Sequence, residues 1–286
     1  MTVLEVIQRS TEWLTRKGVE SPRLQTELLL AHLLRLPRMQ LYLNFERKLT
    51  EQEQQALREL IQRRGAREPL QHIVGSTNFC GLELAVSRAA LVPRPETELL
   101  AERGWQFLDN LPTRTAQPPT ALDFGTGTGC LALSLASHCS SAEIHAIDIS
   151  AAALELARQN ADRLKLSHRI RFLLGDGWSA LDANSRFHLI ISNPPYIPDA
   201  EIATLEPEVR DHDPREALAG GPDGLDYYRR LAADAARFLE PGGKIMLEFG
   251  DGQSDSVRGI FQQQNWVVES VVDDYNRTPR ILIAHG

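Results

Sequence analysis

The sequence has few cysteines, no long apolar run and no excess of positive charge, and each shortage excludes a class of protein. The three cysteines, Cys80, Cys130 and Cys139, have no Cys-x-x-Cys spacing, which argues against a disulfide framework or a structural zinc site. No stretch approaches the ~20 apolar residues that a membrane helix requires. The first ten residues include the charged Glu5 and Arg9, so no signal peptide is expected and a cytoplasmic location is favoured.

The charge balance disfavours a protein that holds duplex nucleic acid by its phosphates. The 286 residues contain 31 Lys and Arg against 38 Asp and Glu, a formal net charge of −7. Residues 1–75 hold 12 basic and 9 acidic residues, a net charge of +3, so the remainder carries −10. Because phosphate neutralisation drives such binding, no direct contact with DNA is expected. The 8 histidines show no metal-ligand spacing, so no metal site is expected either.

Three regions follow one another along the chain. Residues 1–75 show apolar residues at helical spacing and a capping box at 50–53, which predict a small all-helical domain. Residues 76–92 alternate in polarity around Gly81 and predict a β-hairpin linker. Two prolines that flank an arginine then predict a rigid connection into the third region, residues 93–286.

From residue 120 onward, short apolar runs alternate with helical stretches. This alternation predicts right-handed crossovers and a largely parallel, doubly wound α/β sheet of seven strands. A polar loop is predicted just before the first strand, at 113–119. The predicted strands are 121–124, 144–147, 170–174, 189–192, 244–249, 267–272 and 281–284.

A glycine-rich turn follows the first predicted strand and leads into a helix. It reads Gly125-Thr126-Gly127-Thr128-Gly129 and departs from the dinucleotide pattern GxGxxG because residue 130 is a cysteine. Asp123 precedes this turn, and a carboxylate there suits a cationic ligand group better than a pyrophosphate. Asp148 ends the second predicted strand, where a carboxylate binds the hydroxyls of a ribose. Together the two carboxylates predict S-adenosylmethionine rather than NAD as the cofactor.

The fourth predicted strand runs into Asn193-Pro194-Pro195-Tyr196, at the sheet edge where doubly wound folds bind ligands. The prolines fix φ and remove two backbone donors, so Asn193 Oδ1 and the Pro194 carbonyl oxygen can accept together from one planar NH₂ group. Tyr196 offers a flat ring face on which that group stacks. Such a clamp aligns a poorly nucleophilic nitrogen with an electrophilic methyl group, which predicts N-methyl transfer.

The clamp by itself does not distinguish a carboxamide from the amino group of adenine. An adenine-N6 nucleic-acid methyltransferase is therefore an alternative. The net charge of −10 on the catalytic part and the lack of a Lys- and Arg-rich recognition segment count against it. A scaffold that only binds cofactor is disfavoured because it has no need of an intact clamp.

These motifs resemble those of the release factor glutamine methyltransferases, which modify the glutamine of the Gly-Gly-Gln loop in peptide-chain release factors. The resemblance covers essentially the full length, including the helical domain and the hairpin. It implies a Rossmann-like class I methyltransferase domain at 93–286 and methyl transfer from S-adenosylmethionine to the N5 amide nitrogen of glutamine. It also implies that residues 1–75 dock the release factor, as the net charge of +3 allows. The matching segments are 93–98, 125–129, 193–197 and 217–226.

The resemblance further implies roles for particular residues. The turn 125–129, Asp148 and Asn193 would contact the cofactor. The clamp residues 193–196 would hold the glutamine amide, with Asn193, Pro194, Pro195 and Tyr196 forming the catalytic group. The product would be S-adenosylhomocysteine, and the protein is expected to be a monomer.

Some positions leave two interpretations open. The family has Asp-Trp after the third strand, whereas this chain reads Asp176-Gly177-Trp178, so either the Gly177 backbone or Trp178 is expected to contact the adenine. Asp176 could instead accept from the adenine amino group or only form a polar turn. Glu248, at the end of the fifth strand, is either structural or part of the pocket.

The charged residues of the 93–98 segment also have two interpretations. Arg94, Glu96 and Glu98 either brace the connection against the active site or form surface ion pairs. The long segment 197–221 follows the clamp, and a loop of that length near a catalytic strand is often a lid or a substrate-binding element.

Overall fold

The computed structural model describes residues 1–111 and 118–286 of the chain. Of the polar loop predicted at 113–119, residues 113–117 lie outside the described part. No helix in the described part is both long enough and apolar enough to cross a membrane. The chain divides into two compact units, Met1–Ser76 with Glu206–His212, and Thr77–Leu205 with Asp213–Gly286.

The described residues form eleven α-helices and nine strands. The helices are α1 (Val3–Arg16), α2 (Pro22–Leu34), α3 (Arg38–Leu43), α4 (Glu51–Gly65), α5 (Leu70–Val74), α6 (Pro95–Asp109), α7 (Cys130–His138), α8 (Ala151–Arg163), α9 (Pro207–Arg210), α10 (Asp226–Asp234) and α11 (Ser254–Gln263). The strands are β1 (Ser76–Phe79), β2 (Leu82–Ala85), β3 (Thr120–Phe124), β4 (Glu143–Asp148), β5 (Ile170–Leu174), β6 (Phe187–Ser192), β7 (Leu239–Glu248), β8 (Val267–Asp273) and β9 (Pro279–His285).

The first unit is a helical bundle around its own apolar core. The predicted capping box is present at the start of α4, where the Thr50 hydroxyl accepts from Glu53 N at 3.1 Å. The Glu53 carboxylate accepts in return from Thr50 N at 2.8 Å, which satisfies two helix-end donors. The fully buried Leu14 of α1 and Leu30 of α2 belong to the core of this bundle, together with Ile61 of α4.

The segment Glu206–His212 belongs to the first unit, although the sequence-based division assigns it to residues 93–286. Arg64 is almost fully buried and donates to Glu208 Oε1 at 2.6 Å. Arg67 donates to Glu208 Oε1 at 2.6 Å and to Glu206 Oε2 at 2.5 Å. Because these partners are about 140 residues apart along the chain, no local pattern could have indicated the pairing.

The second unit contains a seven-stranded sheet in the order β5-β4-β3-β6-β7-β9-β8. The strands from β5 to β7 pair in parallel, as predicted, while β9 runs antiparallel to both β7 and β8. The short connection between β8 and β9 leaves no room for a crossover, so these two strands form a hairpin. The predicted α/β fold with seven strands, a helical domain and a linking hairpin is confirmed.

Helices cover both faces of this sheet, and the strand β6 shows why. Its successive side chains point to opposite faces, so Leu189 and Ile191 join one core while Ile190 joins the other. On the first face the core includes Leu100 of α6, and on the second it includes Phe261 of α11. A strand buried on both faces reads as a continuous apolar run, which is the pattern that the sequence shows.

Candidate active site

A cavity of about 480 Å³ lies at the carboxyl ends of β3, β4 and β6. β3 lies between β4 and β6 in the sheet, so the strand order reverses at β3. Open α/β sheets bind ligands at such a reversal, outside the carboxyl ends of the strands. Most of the predicted site residues are in its wall. They are Gly125, Thr126, Gly127, Thr128, Asp148, Gly177, Asn193, Pro194 and Pro195.

Backbone hydrogen bonds hold the glycine-rich turn against the end of β4. Gly125 N and Thr126 N both donate to the Ile147 carbonyl oxygen at 2.9 Å. Gly127 N donates to Asp148 Oδ2 at 2.8 Å, and Asp148 Oδ1 accepts from the amide of Ser150 at 2.9 Å. Burial raises the pKa of Asp148 while these backbone donors oppose the shift. Each Asp148 oxygen keeps further acceptor capacity at the cavity wall.

Asp123 lies directly behind this turn and is fully buried. Its Oδ2 accepts from Thr126 Oγ1 at 2.6 Å and from Ala132 N at 3.1 Å. Its Oδ1 is buried without a hydrogen-bond partner among the residues that the structure describes. Burial raises the pKa of Asp123 to about 7. Asp123 therefore braces the turn and leaves one orphaned acceptor next to two residues, Phe124 and Thr126, that line the cavity.

The end of β6 brings the clamp segment to the cavity. Ser192 Oγ donates to the Phe124 carbonyl oxygen at 2.5 Å, which ties β6 to β3 just before the clamp. The side chain of Asn193 then donates from Nδ2 to Thr97 Oγ1 at 3.1 Å. Thr97 lies in the first turn of α6 and lines the cavity beside Asn193 and Pro194.

The ring of Tyr196 is packed outside this cavity wall. It joins the apolar cluster on the α10 and α11 side of the sheet, and burial raises the pKa of its hydroxyl to about 12. The segment 217–226 encloses its backbone, where Ile197 N donates to the Leu218 carbonyl oxygen at 3.0 Å. A Cβ on Gly224 would lie 2.4 Å from the Tyr196 carbonyl oxygen, so this close approach requires glycine.

Gly177 and Trp178 are separated in the structure. Gly177 lines the cavity with φ +59°, and a Cβ there would lie 2.6 Å from Phe124 Cζ. The Trp178 ring instead stacks on Phe238, with centroids 4.9 Å apart, and tilts against Phe124 at 4.7 Å. Gly129 also lies outside the cavity wall, where it caps α7 and approaches Ala157.

Two charged residues of the 93–98 segment hydrogen-bond to buried or partly buried groups. Arg94 lines the cavity and donates to Asp213 Oδ2 at 2.8 Å, and the Asp213 side chain is only 1% exposed. Glu98 Oε1 accepts from the backbone amide of Cys80 at 3.0 Å, which fixes the hairpin to the start of α6. These contacts favour the bracing interpretation of Arg94 and Glu98.

Several residues of the cavity wall were not assigned to the site from the sequence, among them Thr97, Tyr227 and Arg230. Arg230 donates to the Asp176 carboxylate at 2.5 Å and to its carbonyl oxygen at 2.7 Å, so that carboxylate already has a cationic partner. The helical pattern of α10 shows that Tyr227 and Arg230 are not on its buried face. Nothing in that pattern shows that they face a cavity. Within the described ranges no cluster of His, Cys, Asp or Glu is arranged to hold a metal ion.

Comparison with known proteins gives the class and then the family. The chain matches the model of the PrmC N-terminal domain over residues 5–75 and that of the methyltransferase small domain over 104–206. Together with the fold and the cavity, this defines a class I methyltransferase. The chain belongs to the release factor glutamine methyltransferase family, as the resemblance implied.

Three relatives carry this assignment, each named release factor glutamine methyltransferase. The one from Geobacter sulfurreducens is 40% identical over 98% of this chain and 95% of its own length. The one from Chlorobaculum tepidum is 41% identical over 98% and 96%, respectively. The one from Moorella thermoacetica is 37% identical over 100% of this chain and 99% of its own.

Solved structures share the fold at lower identity. The catalytic domain of hMettl16 in complex with MAT2A 3'UTR hairpin 1 is 15% identical, with a TM-score of 0.57 over 80% of each chain. A methyltransferase from Pyrococcus furiosus is 19% identical, with a TM-score of 0.50 over 71% of this chain and 88% of its own. At such identity the likeness supports the fold alone.

Proposed function

We propose that this protein transfers a methyl group from S-adenosylmethionine to the N5 amide nitrogen of the glutamine in the Gly-Gly-Gln loop of peptide-chain release factors. One observation carries the proposal. Asn193 and Pro194 share a single cavity with the glycine-rich turn and Asp148. An amide clamp and a nucleoside site in one cavity can align a nitrogen with a methyl donor. Family membership supports the same activity.

The residues of the cavity fit S-adenosylmethionine, which when bound supplies an electrophilic methyl group. The orphaned Oδ1 of Asp123 lies behind the glycine-rich turn rather than in the cavity wall, and a cationic ammonium group bound at that turn would stabilise its negative charge. Asp148 retains acceptor capacity for ribose hydroxyls. On this proposal the Gly177 backbone, rather than the Trp178 ring, borders the adenine, and Trp178 supports that wall through its contact with Phe124.

The clamp acts by binding and orienting the glutamine amide. Asn193 Oδ1 and the Pro194 carbonyl oxygen accept from its NH₂ group, while Pro195 keeps the backbone rigid. Such alignment can supply roughly 7–11 kcal/mol of the barrier, and acceptors aimed at the developing N–H charge add to it. The proton leaves readily once the nitrogen is cationic, so no general base is required. The stacking role of Tyr196 stays a prediction, because its ring is packed outside the cavity wall.

Substrate recognition divides between the two parts of the chain. We assign docking of the release factor to residues 1–75, and methyl transfer to residues 93–286 joined through the hairpin 76–92. The net charge of +3 on the first region and −10 on the rest supports a protein substrate rather than DNA. We further propose that the enzyme acts as a monomer in the cytoplasm.

The direct test incubates the protein with labelled S-adenosylmethionine and purified release factor, followed by mass mapping of the methylated peptide. The expected result is one methyl group on the loop glutamine. A release factor whose loop glutamine is replaced by alanine is the matched control and should acquire no label.

A parallel reaction with duplex and single-stranded DNA tests the adenine alternative. Transfer to DNA without transfer to the release factor would overturn the proposed function. The substitution Asn193→Ala removes the side-chain amide of the clamp, so it should abolish methyl transfer while cofactor binding persists. Normal turnover of that variant would contradict the role of the clamp.

A further inference from the structure

The orientation of the Asn193 amide decides whether the clamp can work. An asparagine side chain carries an acceptor oxygen and a donor NH₂ group on the same carbon. Only the oxygen can accept from the NH₂ group of a substrate amide, because the flipped side chain would set donor against donor. Something in the protein must therefore select one orientation of this side chain.

The hydrogen-bond partners of Asn193 within the protein supply that selection. Asn193 Nδ2 donates to Thr97 Oγ1 at 3.1 Å. Burial raises the pKa of the Glu248 carboxyl group, while the side chains of Thr97 and Asn193 lower it by hydrogen bonding, as expected where the carboxyl is the acceptor. Thr97 and Glu248 are each about 2% exposed, so water does not compete for these positions.

We propose that Thr97 and Glu248 are positioning residues that hold the Asn193 amide with Nδ2 inward and Oδ1 toward the substrate. This inference rests on the proposed function of the clamp. A threonine hydroxyl donates one hydrogen bond and accepts others, so Thr97 alone would tolerate either orientation of the amide. Glu248 removes that ambiguity because its carboxyl group accepts a hydrogen bond from the Thr97 hydroxyl. The lone pairs of Thr97 then remain for Asn193 Nδ2.

Burial of Glu248 supports a functional role over a structural one. Its Oε2 is buried without a partner among the described residues, and its pKa rises to about 7 chiefly because of burial. Placing a carboxyl group in such a site is unfavourable, and an apolar residue would suit the end of β7 better. The same arrangement gives a role to Thr97, which lies in the 93–98 segment.

The test compares Thr97→Val, which removes the hydroxyl at constant shape, with Thr97→Ser, which keeps it. Steady-state methylation of the release factor by full-length protein is measured with the cofactor Kd and the thermal midpoint of each variant. For Thr97→Val we expect kcat to fall by about 10- to 100-fold, the effect of a misdirected catalytic group. The KM for release factor and the Kd for cofactor should not change, while Thr97→Ser should restore kcat.

Glu248→Gln provides the second variant. Its amide can present a donor to Thr97 and so reverse the direction of the hydrogen bonds, and we expect a fall in kcat like that of Thr97→Val. Ser134→Ala is the matched control, because it removes an equally buried hydroxyl group from α7, outside both the cavity wall and residues 1–75. All parameters of that control should match the wild type.

A second readout needs no turnover. The side-chain NH₂ resonances of Asn193 in the free protein, assigned by their loss in Asn193→Asp, should exchange slowly with solvent in the wild type and in Thr97→Ser. In Thr97→Val they should exchange faster. Unchanged exchange in Thr97→Val, or equal losses of kcat in Thr97→Val and Thr97→Ser, would overturn the inference. Absence of glutamine methylation by the wild type would instead overturn the proposed function.

Discussion

Asn160 of α8 forms a reciprocal pair of hydrogen bonds with the backbone of Ala85 in the hairpin. Its Oδ1 accepts from Ala85 N at 2.7 Å, and its Nδ2 donates to the Ala85 carbonyl oxygen at 3.0 Å. The same Nδ2 donates to the carbonyl oxygen of Thr128 at 3.0 Å. One fully buried amide thus ties the hairpin, α8 and the glycine-rich turn together.

Replacement of Asn160 by Ala should therefore destabilise the protein. Buried backbone groups of Ala85 and Thr128 lose their partner, so we expect a loss of about 2–4 kcal/mol in the free energy of unfolding. Urea denaturation measures it, and cofactor affinity should also fall because Thr128 lines the cavity. At the neighbouring position, the Gln159 side chain donates to Glu155 on the helix surface, and Gln159→Ala should change stability by less than about 0.5 kcal/mol. Equal effects of the two substitutions would contradict this account.

Gly125 and Gly242 offer a matched pair for testing the glycine-rich turn. They have φ of +79° and +81°, and among the described residues a Cβ on either would meet no atom within 4 Å beyond its chain neighbours. Alanine at each position should cost a similar ~1–2 kcal/mol of backbone strain, measured by thermal unfolding. Only Gly125 lines the cavity, so only Gly125→Ala should weaken cofactor binding in calorimetry. Equal affinity of both variants for the cofactor would show that Gly125 does not contribute to the cofactor site.

The segment Glu206–His212 should detach from the helical bundle when the buried guanidinium group of Arg64 is removed. Arg64→Met deletes the hydrogen bonds to Gln25, Glu68 and Glu208, and we expect a loss on the order of 2 kcal/mol. Limited proteolysis should then cut within 206–212 faster than in the wild type. The exposed neighbour Arg63→Ala, which loses one surface pair with Glu68, should change neither quantity measurably. Faster cleavage in both variants would indicate a general loss of stability instead.

The raised pKa of Asp123 predicts how stability depends on pH. In the unfolded chain this carboxyl has its ordinary pKa of 3.8, and in the folded protein burial raises it to about 7. Between these values the folded state binds one more proton, so stability from this group falls as pH rises from about 4 to about 7 and is constant above.

Asp123→Asn removes this titration. At about 1.4 kcal/mol per pKa unit, the variant should gain up to about 4 kcal/mol relative to the wild type between pH 4 and pH 7. Urea denaturation at several pH values measures the difference. Glu248 also has a pKa near 7, but it titrates in both proteins and its contribution cancels. Parallel stability curves for the two proteins would refute the assignment of this titration to Asp123.

Much of the fold could be predicted from the sequence, because its signals are local. Buried strands such as β6 read as apolar runs, and a glycine-rich turn between a strand and a helix marks the start of a nucleotide-type site. The clamp was recognisable because prolines restrict the backbone wherever they occur. These features depend on neighbours within a few residues, so the sequence carries them in full.

Other parts of the site depend on residues far apart in the chain. Thr97 and Asn193 are 96 residues apart, and Arg64 and Glu208 are 144 apart. A threonine in the first turn of a helix and a glutamate in a long loop look the same in the sequence whether or not they meet such partners. Likewise, no local pattern distinguishes Gly177, which lines the cavity, from Trp178, which packs against the core.

The sequence by itself determined the class of fold and the position of the glycine-rich turn, and it predicted the chemistry of the clamp. Tertiary structure alone decided which way the Asn193 amide faces, which carboxylates are buried, and where the segment after the clamp packs. The physical reason is that local conformation follows from short-range sterics and periodicity. Burial and hydrogen-bond partners exist only after distant segments have packed together.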